Sequence, residues 1–169
     1  MYNVLKEFAR GVLRMEIHYL KEYRQWIPTI AQWFYDEWGD FYPNLTANDI
    51  AERLEQRTNT DTIPLALVAV EVDQVIGTVS LKQYDMDTRM QYAPWLASLY
   101  VKKTHRHKGV SIELIQAGLN KAVQLGIPVL YLYTIIPQHK AFYLSHGWEF
   151  VETTEYRRRT AIIVKKRLA

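Results

Sequence analysis

The stretch that decides the fold is "LYVKKTHRHKGVS" (99–111). It starts inside "PWLASLYV" (94–101), which is apolar on both faces, as a central buried strand is. After Gly109 apolar residues recur at the spacing of one helical face, so a helix follows the strand. Backbone N–H groups at the start of a helix bind phosphate, and Arg106 and Lys108 add positive charge to the loop. The stretch therefore predicts an anion site, at which glycine lets the anion approach the backbone closely.

The glycine spacing argues against two common phosphate motifs. A nucleoside triphosphate P-loop needs a second glycine followed by Lys and Ser or Thr, and the dinucleotide fingerprint needs three glycines. A strand at 129–136 follows the helix, so strand, basic loop, helix and strand form a βαβ unit with parallel strands. We therefore expect a different phosphate carrier.

Hydrophobic periodicity predicts the remaining elements. The predicted strands are 13–20, 63–72, 74–86, 148–158 and 160–168, and the predicted helices are 23–38, 46–57 and 139–147. Thr46 is the expected N-cap of its helix. Asp73 and Gln74 separate the second and third of these strands, so we expect a tight hairpin there.

Composition limits the class of protein. The chain has 169 residues, 49% hydrophobic, enough for the core of one domain, with 1–12 as a possible N-terminal extension. It contains no cysteine, and its net charge of +3 is too small to argue for a nucleic-acid or membrane partner. The charged N-terminal segment offers neither a signal peptide nor a membrane span, so we expect a cytoplasmic protein.

Two motifs resemble those of the GNAT superfamily of N-acetyltransferases. In that family the fourth strand is followed by Arg or Gln, two residues, Gly, one residue, and Gly or Ala; Arg106, Gly109 and Ser111 stand at these positions, with serine as the departure. The family also has a short helix with an aromatic–Tyr pair, three residues and a Gly–aromatic step, which "AFYLSHGW" (141–148) matches. The predicted order of elements follows the family order over nearly the whole chain.

The resemblance implies a fold and an activity. The fold is an α/β (α+β) GNAT fold with a mixed central sheet of six to seven strands, splayed between strands 4 and 5 and flanked by helices. The activity is transfer of the acetyl group of acetyl-CoA, as co-substrate, to a primary amine of a small molecule or peptide by direct attack in a ternary complex. A GNAT-fold module that binds acyl-CoA without turnover is the alternative.

The resemblance also assigns cofactor-binding residues. The strand residues that would contact the pantetheine arm and the acetyl group are Leu99, Tyr100 and Val101. The loop and helix residues that would hold the pyrophosphate are Arg106, His107, Lys108, Gly109, Val110, Ser111 and Ile112. The family often has an Asn before the short helix that contacts CoA, and here Gln138 is its possible substitute.

Acetyl transfer needs a neutral amine, stabilisation of an oxyanion and a proton for the departing thiolate. By the resemblance Tyr143 is the general acid, although it is also what a packed core aromatic would look like. A backbone N–H in 99–101 would stabilise the oxyanion. The general base stays open among Glu71, Asp85, Asp87 and His139.

The acceptor side gives weaker signals. Asp36, Glu37 and Asp40, among aromatics, would attract a cationic amine if they line the site, but such acids are more often solvated. "YRRRT" (156–160) would contact the acceptor or the CoA 3′-phosphate, or form a solvated hairpin tip.

The remaining readings of the basic loop are weaker still. His105 and His107 lack a matching carboxylate or thiolate, so we expect no metal. We expect no nucleic-acid or membrane partner either, because no stacking-plus-basic module extends the patch. A homodimer through the C-terminal strands is an arrangement common in the family.

Overall fold

Seven strands form one sheet in the computed structural model, which describes residues 14–169. The strands are β1 (Glu16–Tyr19), β2 (Leu65–Glu71), β3 (Gln74–Lys82), β4 (Trp95–Val101), β5 (Val129–Thr134), β6 (Glu149–Tyr156) and β7 (Arg159–Arg167). The α-helices are α1 (Ile27–Trp38), α2 (Ala47–Glu55), α3 (Val110–Gln124) and α4 (His139–Ser145). Short 3₁₀ segments occupy Leu20–Trp26, Gly39–Phe41 and Lys103–His105. The predicted mixed sheet and the predicted order of elements are confirmed.

The sheet divides at its centre. Its order is β1-β2-β3-β4-β5-β7-β6, and among the described strands β4 and β5 are the one parallel pair. They are paired at a single register position, Trp95 with Tyr131, whereas β3 and β4 pair over most of their length. Beyond Trp95 the two strands diverge, so the predicted splay between strands 4 and 5 is confirmed.

Helices cover both faces of the sheet. On one face α3 packs through its predicted apolar side, with Leu114 and Leu119 buried. Gly118 brings the helix close, because a Cβ there would lie 3.0 Å from Leu96 Cδ1. On the other face α1 and α2 bury Ile30 and Leu54, among others, against the sheet.

Several boundaries differ from the sequence prediction for local reasons. The helix predicted from residue 23 is a 3₁₀ segment up to Trp26, and α1 begins beside Pro28, a residue suited to the first helical turn. The β2–β3 turn residues are Val72 and Asp73, rather than Asp73 and Gln74, and both have positive φ (49° and 59°). β5 ends at Thr134, whose hydroxyl accepts a bond from the Ile136 N–H (3.1 Å) and turns the chain.

The N-terminal prediction is tested only in part. β1 occupies Glu16–Tyr19 inside the predicted strand 13–20, and the possible extension at 1–12 lies outside the described residues. None of the helices in 14–169 has the length and apolar character to cross a membrane.

Candidate active site

The loop between β4 and α3 ends in a helix start with free amides. Gly109 is the N-cap of α3 in the left-handed region (φ +82°), and no side chain caps the helix. Glu113 is the first residue whose N–H bonds back, to the Gly109 carbonyl at 3.2 Å. The N–H groups of Val110, Ser111 and Ile112 therefore have no intrahelical acceptor. Apart from the adjoining residues, no atom of the described part of the chain lies within 4 Å of a Cβ built at Gly109, so the space beside the amides is open.

The charged side chains of this loop divide into two groups. Lys108 and His107 are exposed. Arg106 turns inward: its Nε donates to the Val101 carbonyl (2.9 Å), and its guanidinium carbon lies 5.3 Å from the centre of the Tyr100 ring. Arg106 therefore ties the loop to the end of β4 with its side chain, and its charge is held close to the strand.

A β-bulge interrupts β4 at Ser98. Thr78 pairs with Tyr100 and Ser80 with Ala97, so Ser98 and Leu99 together oppose the single residue Val79. Ser98 has a positive φ of 52°, which is uncommon for a residue other than glycine. The backbone at 98–99 therefore lacks regular pairing toward β3, and it has no pairing toward β5.

The bulge also changes the alternation of side chains between the two faces of the sheet along β4. Leu96 and Leu99 are three residues apart, yet both pack on the face covered by α3. Tyr100 packs on the opposite face, where its ring stacks on Trp33 with 5.4 Å between centroids. The sequence analysis assigned Leu99 to the site but missed Ser98, because no local sequence signal marks a serine for positive φ.

The ring of Tyr143 is packed in the core, as one of its two predicted interpretations requires. It is only 6% exposed and packs edge-on against Trp148 (5.8 Å between centroids) and Phe142 (5.3 Å). Burial raises the pKa of Tyr143 to about 12. Its hydroxyl has no hydrogen-bond partner within 14–169. Every fully buried side-chain nitrogen or oxygen in these residues does have a partner, so the Tyr143 hydroxyl is not fully buried. The hydroxyl therefore keeps access to solvent while the ring belongs to the core.

A cavity of about 480 Å³ adjoins the bulge. It lies between α1, α2, the loop after β3 and the turn that joins β6 to β7. Residues that line it include Trp38, Tyr42, Arg57, Asp85, Ser98 and Arg157. Since Ser98 lines this cavity, the interrupted part of β4 forms part of its wall.

Two of the four general-base candidates reach the cavity. Asp85 and Asp87 both line it; Asp85 lies 2.8 Å from the Lys82 ammonium and Asp87 lies 2.9 Å from the Arg157 guanidinium. Glu71 and His139 are not among its lining residues. Of the four predicted candidates, the two aspartates of the loop after β3 are therefore the ones that line the cavity.

The acidic residues of α1 and its C-terminal turn lie elsewhere. Asp36 accepts a bond from Gln32 (2.7 Å), and Asp40 accepts one from Arg159 (2.8 Å). Glu37 lies 3.4 Å from Arg106. None of these three carboxylates lines the cavity. In the hairpin predicted as a solvated tip, Arg157 does line it.

The sequence analysis also missed Arg57. This residue follows α2, is only 8% exposed and lines the cavity. Its Nη1 donates to the hydroxyls of Ser80 (3.0 Å) and Ser98 (3.1 Å). Both partners are distant in sequence, so the helix pattern around residue 57 could not show the burial.

The histidines of the loop do not converge. His105 lies 3.5 Å from Glu71, and His107 is exposed. Residues 14–169 contain no group of three or more His, Asp or Glu that could hold a metal ion.

Comparison with known proteins identifies the family. The chain belongs to the acetyltransferase (GNAT) family, whose model matches residues 27–148. A comparison with curated proteins gives no significant match.

Solved structures show the same fold. One is yncA from Salmonella typhimurium with its cofactor acetyl-CoA, at 16% identity and a TM-score of 0.69, covering 92% of this chain and 94% of that one. Another is the PaiA N-acetyltransferase from Thermoplasma acidophilum in complex with coenzyme A, at 19% identity and 0.66, covering 92% and 99%. A third is an aminoglycoside 6′-acetyltransferase type Ii, at 17% identity and 0.68, covering 91% and 97%. At these identities the likeness concerns the fold.

Proposed function

We propose that this protein is an N-acetyltransferase that moves the acetyl group of acetyl-CoA to a primary amine of a small molecule or peptide. One observation carries the proposal: β4 links an open, amide-lined helix start at one end to a bulge in the wall of a cavity. The helix start suits a pyrophosphate, and the cavity suits an acceptor. The bulged strand between them is where the two would meet.

The chain's own residues fit the CoA half. The unpaired N–H groups of Val110, Ser111 and Ile112 can donate to phosphate oxygens, and the exposed charge of Lys108 lies nearby. The backbone of Leu99–Val101, which has no β5 partner, can bond the amide groups of a pantetheine arm as an added strand would. Bound acetyl-CoA supplies the acetyl group as a thioester.

Three groups then serve the chemistry. The Leu99 N–H, which lies at the bulge, donates to the carbonyl oxygen on which negative charge develops. Asp85, held in the cavity wall by Lys82, accepts the amine proton directly or through water. Tyr143 donates to the departing sulfur, and its raised pKa of about 12 keeps the phenol protonated at neutral pH.

The experiment is free-CoA release from acetyl-CoA with a panel of neutral, cationic and anionic primary amines, alongside calorimetric titration of acetyl-CoA. We expect binding of acetyl-CoA and release that depends on at least one amine. Binding without amine-dependent release would favour the alternative, a GNAT-fold module that holds an acyl-CoA without turnover. Absence of binding would refute both functions.

A further inference from the structure

Arg57 is a buried cation with no carboxylate in direct contact among the described residues. It is 8% exposed, and its polar contacts through the side chain are the hydroxyls of Ser80 and Ser98, both bonded to Nη1. Among the residues of 14–169, no carboxylate lies within 4 Å of its nitrogens. Burial of the guanidinium lowers the pKa of Arg57, and the negative charge of Asp85, which lines the same cavity without contacting Arg57, opposes this only in part.

The unused nitrogens of Arg57 open into the cavity. Its Nε and Nη2 make no hydrogen bond to a described residue. Because every fully buried side-chain nitrogen or oxygen in 14–169 has a hydrogen-bond partner, Nε and Nη2 are not fully buried. These two nitrogens are therefore accessible, and the space beside Arg57 is the cavity that it lines. The backbone on each side is fixed, because the Arg57 N–H donates to the Leu54 carbonyl and the Arg57 carbonyl accepts from Ala66, both at 2.9 Å.

The other charged residues that line the cavity also leave an excess of positive charge. Its two aspartates are each paired with a cation, Asp85 with Lys82 and Asp87 with Arg157. Arg57 and Arg53, one turn earlier on the same segment, remain without a carboxylate within 4 Å in the described part of the chain. The cavity therefore favours an anionic group, contrary to the cationic acceptor that the acids of α1 suggested.

Resting on the acetyl transfer proposed above, we propose that the acceptor is a small amine that carries an oxyanionic group, a carboxylate or a phosphonate, which Arg57 binds through Nε and Nη2. Arg57 bonds the Ser98 hydroxyl, and Leu99, the next residue, carries the N–H assigned above to the reacting carbonyl. In an acceptor that binds Arg57 through its anionic group, only a few covalent bonds therefore separate that group from the attacking amine. Amino acids and their phosphonate analogues have this arrangement.

The test compares kcat/KM for matched amines by free-CoA release. Each amino acid is paired with its carboxamide and with its 1-aminoalkylphosphonate, and rates are calculated on the neutral amine because the amide's amine is the more acidic. The wild-type protein should prefer the anionic acceptor over the amide about 10- to 100-fold, the size of a charge-assisted hydrogen bond. The better of the two anionic acceptors decides between carboxylate and phosphonate.

Variants separate recognition from structure. Arg57→Gln should reduce the anion-to-amide ratio toward one, and Arg57→Lys should keep part of it. Arg24→Gln, which removes a charge paired with Glu55 outside the cavity, should leave the ratio unchanged. The ratio is informative even if Arg57→Gln lowers total activity, because loss of a purely structural bond affects both acceptors equally.

Two results would overturn the inference: a wild-type ratio near one, or an equal fall of both rates in Arg57→Gln and Arg57→Lys. Transfer to neutral or cationic amines would still support the proposed function in that case. If no amine of the panel causes release of CoA, the proposed function is refuted, and the inference that rests on it is refuted as well.

Discussion

Replacing Tyr143 by Phe removes one hydroxyl from the proposed site and little else. The ring contacts with Phe142 and Trp148 can remain, so we expect the unfolding free energy to change by less than about 1 kcal/mol. The hydroxyl has no partner in the described chain that would be left unsatisfied. The variant therefore reports on chemistry rather than on packing.

The expected kinetic loss follows from the raised pKa. General acids contribute roughly 10²- to 10⁴-fold. A phenol of pKa about 12 is a weak acid toward a thiolate whose conjugate acid has a pKa of about 8.5, so we expect the low end, about 10² in kcat or roughly 2.7 kcal/mol. Affinity for acetyl-CoA should stay within about twofold, because the hydroxyl is not part of the phosphate loop.

The assay is free-CoA release at saturating acetyl-CoA with each accepted amine. Tyr35→Phe is the matched control, since Tyr35 is an exposed tyrosine of α1 that does not line the cavity. Equal kcat for Tyr143→Phe and the wild type with every accepted amine would refute the role of the phenol in the reaction.

The same burial predicts a pH dependence of stability. Unfolded tyrosines ionise near pH 10, whereas burial raises the pKa of Tyr143 and of Tyr42 to about 12. Their contribution is fully present below pH 10, and it should be lost as the pH rises from about 10 to 12. Chemical unfolding at pH 9 and 11 measures this loss, and an unchanged unfolding free energy would contradict the assigned burial.

Two further substitutions test the packing that positions the site. Gly77→Ala would place a Cβ 2.9 Å from the Tyr100 carbonyl, beside the end of β4, and should lower the unfolding free energy by about 1–3 kcal/mol in urea unfolding; an unchanged midpoint would argue against this close approach. Thr46→Ala removes the hydroxyl that accepts from the Asp49 N–H at 3.2 Å and should cost about 1 kcal/mol in the same measurement, whereas Thr46→Ser should cost less.

The features predicted from sequence are those with local causes. Gly109 and the apolar spacing after it predict α3, and the hydroxyl of Thr46 predicts the start of α2. Both predictions are possible because helix caps and helix faces depend on residues only a few positions apart. The βαβ unit follows from the alternation of these elements. The uncapped helix start at Gly109 was therefore accessible to sequence reasoning.

The cavity was not accessible to sequence reasoning, because it depends on contacts between distant segments. The bulge at Ser98 arises from how β3 pairs with β4, and Arg57 is buried by residues 23 and 41 positions away. Asp36 shows why the sequence left two interpretations open: its helix buries Ile30 and Phe34, and a carboxylate bonded to Gln32 on the exposed surface looks the same in sequence as one in a site.

Two glycines at opposite ends of α3 give the most direct test of the central claim that this helix start holds the pyrophosphate of acetyl-CoA. Gly109 and Gly126 both have positive φ (+82° and +72°), and a Cβ at either would lie more than 4 Å from every described residue beyond its immediate neighbours. Alanine at either position should therefore cost about the same stability, roughly 1–2 kcal/mol.

The measurement is calorimetric titration of acetyl-CoA into the wild type, Gly109→Ala and Gly126→Ala. The loop of Gly109→Ala can relieve the strain by leaving the left-handed conformation, and acetyl-CoA binding must then return it to that conformation. Because this return costs free energy, Gly109→Ala should bind acetyl-CoA about 5- to 30-fold more weakly. Gly126→Ala should bind as the wild type does. Equal affinity of all three proteins would contradict the claim.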